Sequence, residues 1–113
     1  MDFKEFLNKY ENKSTEELKV MGTLSITKMI KRAIFEGTQS NTTILEAIQS
    51  VQIIKNGFDA IYEITDGYYF SCKSIFKQFD LIEMSEIVDD ILESNSKEFD
   101  KKFKSLLNFI YYT

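Results

Sequence analysis

Between Asp80 and Glu93 the chain carries six carboxylates, Asp80, Glu83, Glu86, Asp89, Asp90 and Glu93, and no basic residue. Three kinds of chemistry are open to such a run. Two facing carboxylates can act as acid and base, a cluster can hold a hard cation, and a negative face can dock on a cationic one. Acid–base hydrolysis requires two acids across a cleft, which linear order does not specify. A calcium loop requires Asp-x-Asp-x-Asp-Gly spacing, and the chain has none. Docking requires only a shared face. On a helix Glu86, Asp90 and Glu93 recur at i, i+4 and i+7, where like charges cost a few tenths of a kcal/mol per pair. A basic partner relieves that repulsion, so these six residues are the expected contact surface. Tyr69, placed outward by the strand pattern described below, is expected to join them, and Tyr111 and Tyr112 are further exposed aromatics.

The rest of the inventory excludes more than it offers. There is no histidine, tryptophan or proline, and Cys72 is the single cysteine. Without imidazole no Ser-His-Asp or Cys-His arrangement exists, and one thiol makes neither a Cys-only zinc site nor an internal disulfide. No phosphate loop, dinucleotide fingerprint or nucleophile elbow occurs. The expectation is a non-enzyme with no catalytic, metal or cofactor-binding residues. Cys72 reads as a small buried hydrophobe.

Charge is uneven along the chain. Residues 1–57 hold eight basic and seven acidic residues, a net of +1, and residues 58–113 hold six and eleven, a net of −5. Lys28, Lys31 and Arg32 form one small basic patch. A sequence pI near 4.9 speaks against the broad basic surface of a nucleic-acid binder. Thirteen lysines to one arginine, with abundant isoleucine, follow AT-rich codons such as those of low-GC bacteria, their phages and plasmids, or some protists.

The elements that position these residues are read from spacing. With 113 residues, 43 % hydrophobic and 28 % charged, the chain 1–113 is one domain able to bury a core. Phe3, Phe6, Leu7 and Tyr10 give a first amphipathic helix, with Asp2 and Glu5 at capping-box spacing. Ser14-x-x-Glu17 caps a second, broken or bent at Gly22, in which Ile26, Met29, Ile30, Ala33 and Ile34 face inward and Gly37 ends the run. Thr43-x-x-Glu46 caps a third, with Ile44, Ala47, Ile48, Val51 and Ile54 inward and Asn56-Gly57 as its stop. Ala60–Ile64 and Tyr68–Cys72 alternate about Thr65-Asp66-Gly67, which predicts a β-hairpin over Ala60–Cys72 with Ile64/Tyr68, Tyr62/Phe70 and Ala60/Cys72 paired. Ser74–Glu83 is left open between short helix and turn. Ser85 caps a helix through Glu93 with Ile87, Val88, Ile91 and Leu92 inward, and Asn95-Ser96 caps a last one with Phe99, Phe103, Leu106, Leu107 and Ile110 inward. The expected fold is α+β: a mostly helical single domain of about five helices with one hairpin.

No charge-free stretch exceeds nine residues, short of the ~18 that span a bilayer. The first residues lack a secretory pattern, so a cytoplasmic, reducing compartment is expected. The functional expectation is a small acidic binding protein, of inhibitor, immunity or anti-defence type, meeting a basic protein surface through the acidic helix. In size and acidity it resembles phage- and plasmid-borne anti-defence proteins such as anti-CRISPRs, as a resemblance of type without a shared motif. The alternative is a DNA-binding regulator. Asn56-Gly57-Phe58 through Asp66-Gly67-Tyr68 resembles the entry and wing of a winged helix-turn-helix, which implies Thr43–Lys55 as recognition helix with Gln49, Gln52 and Lys55 available.

Overall fold

The structure, a computed structural model, describes residues 1–66 and 81–111, with only the backbone described at residues 81–84, 96 and 109–111. These residues form six helices: α1 (Phe3–Tyr10), α2 (Thr15–Met21), α3 (Thr23–Gly37), α4 (Ile44–Thr65), α5 (Leu81–Glu93) and α6 (Ser96–Tyr111). No strand occurs among the described residues. The described residues are all-helical, which corrects the α+β expectation.

The helix starts follow from local chemistry. Asp2 Oδ1 accepts from the Glu5 N–H at 2.8 Å. Ser14 with Glu17 and Thr43 with Glu46 form reciprocal capping boxes at the starts of α2 and α4. Asn95 Oδ1 accepts from the N–H groups of Lys97 and Glu98 at the start of α6. Gly22, at φ 85°, breaks the chain between α2 and α3 in a conformation that side chains disfavour.

The predicted hairpin fails because α4 does not stop at Asn56-Gly57. It runs 22 residues to Thr65, so residues 60–65 are its last turns, while residues 67–72 lie outside the described residues. Gly57 serves a crossing rather than an end. A Cβ there would lie 2.6 Å from Ile30 Cγ1 and 2.8 Å from its Cδ1. Its missing side chain lets α3 and α4 approach closely, which offsets the ~1 kcal/mol a helical glycine costs. The buried residues Val51, Ile54, Phe58 and Ile61 continue one helical stripe through the segment read as alternating. Ala60 and Ile61, assigned to opposite faces of a strand, are both buried, whereas Tyr62 and Ile64, expected on the apolar face with Ala60, are exposed. Asp66 then ends the helix in the left-handed region at φ 55° and ψ 39°. Asp66, read as part of a hairpin loop, is thus a helix stop.

Gly37 ends α3 as its position suggested, and it serves a helix crossing as well. It is the last residue of α3, capped by Thr38 at φ −97°. A Cβ there would lie 2.8 Å from Ser50 Cβ and 2.9 Å from Phe103 Cε2, so α3, α4 and α6 meet across this point. Ser50 is fully buried and donates its hydroxyl to the Glu46 carbonyl at 2.9 Å.

Helix α4 is the centre of the molecule. It packs against α1, α2, α3 and α5, while α6 closes over α5 and α3. Four neighbours bury a wide arc of α4 that includes Ile53, and Ile44 and Ile48, expected inward, are exposed instead. Of the other inward expectations, Phe6, Leu7, Ile26, Met29, Ile30, Ala33, Ile34, Val88, Ile91, Phe99, Phe103 and Leu106 form the core. Helix α5 begins at Leu81, one turn before the Ser85 cap expected for it, so Ser85 lies inside the helix.

Candidate partner-binding face

The acidic run lies on α5, between α4 on one side and α6 on the other. Val88 and Ile91 face the core, and Glu86, Asp90 and Glu93 are exposed, as the i, i+4, i+7 reading requires. Asp80 and Tyr69 lie outside the described residues, as do Cys72 and Tyr112. Glu83 and Tyr111 are placed along the backbones of α5 and α6.

The run lacks bases in sequence but not in space. From α4, Lys55 Nζ donates to Asp89 Oδ1 at 2.7 Å and lies 3.8 Å from Asp59 Oδ2. From α6, Lys102 Nζ lies 3.0 Å from Asp90 Oδ2 and 3.5 Å from Glu98 Oε2. The hydrogen bond to Asp89 pushes the Lys55 ammonium above its ordinary pKa, and that to Asp90 does the same for Lys102. Asp59 moves up as well, chiefly because burial disfavours its charge, with Lys55 opposing. Of the α5 acids whose side chains are described, Asp89 and Asp90 are paired and Glu86 and Glu93 make no ion pair.

Between α5 and α6 lies a groove of about 430 Å3. Ile87, Ile91 and Leu106 form its floor, Glu86 and Asp90 stand on the α5 rim, and Lys102 and Ser105 stand on the α6 rim. Such a surface can take an apolar side chain while its rim meets a cation. The described residues contain no group of three or more His, Cys, Asp or Glu side chains arranged to hold a metal ion.

Sequence reasoning found the acidic face and missed the lysines that answer it. Glu98–Lys102 is an i, i+4 pair readable from spacing. Lys55 is 34 residues from Asp89, and only the packing of α5 on α4 brings them together. The groove likewise depends on how two helices sit, and no local signal announces it.

The winged-helix resemblance loses its parts. Its wing would need the hairpin, and its recognition helix would be α4, which is enclosed by four other helices. Gln49 donates to Glu11 Oε2 and Gln52 to Asn56 Oδ1, both at 2.9 Å, and Lys55 is engaged as described. Arg32 of the basic patch donates to Glu36 through Nε and to the Met1 carbonyl through Nη2 at 2.8 Å. No helix among the described residues is long and apolar enough to cross a membrane. Compared with protein-family models, curated proteins and solved structures, the chain matches none.

Proposed function

We propose that this protein works by binding a macromolecular partner with a basic surface through α5 and the groove it shares with α6. One observation carries the reading: an apolar floor of Ile87, Ile91 and Leu106 lies beside the exposed acids Glu86 and Asp90. An apolar anchor supplies affinity in such a site and the rim charges steer approach. Glu86 and Glu93 lack ion pairs among the described residues, so they are the charges a cationic surface would meet first. An inhibitor or immunity protein is the kind of function this surface would serve, by occupying the basic site of its target.

The test uses the intact protein immobilised against host lysate, with retained proteins released by rising salt. A basic protein retained by wild type, with association slowed at least about tenfold for Glu86→Gln/Glu93→Gln, supports the reading. The opposite outcome is equal retention by both proteins, together with loss of binding when Lys28, Lys31 and Arg32 are all changed to Gln. That result would move the contact to α3.

A further inference from the structure

The basic residues of α3 border a second hollow, away from the acidic groove. Helices α1 and α3 touch each other little, and a hollow of about 370 Å3 opens between them. Phe6, Tyr10, Met21 and Met29 wall it, with Lys28 and Arg32 at its α3 side. Arg32 is fixed in place. Its guanidinium lies 4.8 Å from the Phe6 ring centroid, and its bonds to Glu36 and to the Met1 carbonyl hold the fork in one orientation. Lys28 is exposed one turn away and makes no hydrogen bond or ion pair among the described residues. Glu36 pairs with Arg32, which leaves Lys28 as the cation at this edge with no ion pair among the described residues.

We propose that this hollow binds a small amphiphilic carboxylate, its apolar body against Phe6, Tyr10, Met21 and Met29 and its carboxylate between Lys28 and Arg32. Size selects a small molecule, because the volume falls at the low end of the ~300–1,000 Å3 typical of ligand pockets. Charge selects an anion. Lys28 makes no ion pair among the described residues, and a carboxylate bridging it to the Arg32 guanidinium would supply one. The walls select an apolar body, since the half-buried Tyr10 and Met21 can pack on an aryl or alkyl group above the buried Phe6 and Met29.

Two probes with one body and opposite charge test this, 4-phenylbutyrate and 4-phenylbutylamine, titrated into isotope-labelled protein and followed by NMR. The expected result is saturable shifts at Phe6, Tyr10, Lys28 and Met29 with the carboxylate, and binding of the amine weaker by at least about tenfold. Lys28→Glu, at an exposed position, should keep the thermal midpoint and lower carboxylate affinity at least about fivefold. Non-saturating shifts, equal response to the amine, or a Lys28→Glu protein that titrates like wild type would each overturn the proposal. Saturable shifts confined to the α5–α6 groove would overturn it too. None of these outcomes bears on the acidic face, which has its own test.

Discussion

Lys55 holds two carboxylates from two helices, Asp59 on its own and Asp89 on α5. The three side chains are 31 %, 44 % and 49 % exposed, so solvent screens the pairs and each contributes modestly. Lys55→Met should cost about 0.5–1 kcal/mol in chemical denaturation. Asp59→Asn should behave differently. Burial raises the Asp59 pKa, so the folded state holds that proton more tightly than the unfolded chain. Ionised Asp59 therefore weighs against folding at neutral pH, and the weight lifts as pH falls through its folded pKa. The Asn variant should melt at or above the wild-type temperature at pH 7, because Lys55 keeps Asp89. The capping carboxylates have the opposite sign. Backbone N–H groups of Glu5, Ser14 and Thr43 hold Asp2, Glu17 and Glu46 below their ordinary values. Their contribution is complete above the unfolded pKa and is lost as pH falls through the folded one. Glu17→Gln/Glu46→Gln should flatten the fall in melting temperature below about pH 4.5, read by circular dichroism.

The helix starts were legible because a cap is a local exchange of hydrogen bonds between residues three apart. Ser14, Thr43 and Asn95 could be read without knowing what the helices pack against. The long reach of α4 could not. Gly57 resembles a stop in sequence, and its actual neighbour, Ile30, is 27 positions away. Ala60–Ile64 alternates over five residues, and only the preceding turns show that the period of 3.6 continues. The acidic face was legible for the same local reason as the caps, whereas its lysine partners and the groove belong to packing between helices. Both glycine crossings can be tested. Gly37→Ala should destabilise by about 1–3 kcal/mol, since Ser50 Cβ sits against its backbone and cannot swing away. Gly57→Ala presses on Ile30 Cγ1 at 2.6 Å, a fully buried β-branched side chain with little χ1 freedom in a helix. The helix propensity it gains, about 1 kcal/mol, offsets only part of that, so it too should destabilise in urea denaturation.

Across the whole molecule, the acidic half of the chain is tied to the rest through Lys55, and α5 to α6 through Lys102. The acids differ accordingly. Glu86→Gln/Glu93→Gln should leave the melting temperature unchanged, because both side chains are exposed and no ion pair to either is found among the described residues. Asp90→Asn releases Lys102 from one of its two carboxylates and should loosen α6 slightly, as faster amide exchange there. The central position of α4 has a kinetic consequence as well. Its partners α3 and α5 are its neighbours in sequence, and α6 packs on those two helices. Order of assembly should follow order of enclosure. Substitutions at the α3–α4 crossing, such as Ile30→Val, should slow refolding, whereas Phe103→Leu in α6 should mainly speed unfolding. The helix with the most neighbours would then also be the one whose amides open last.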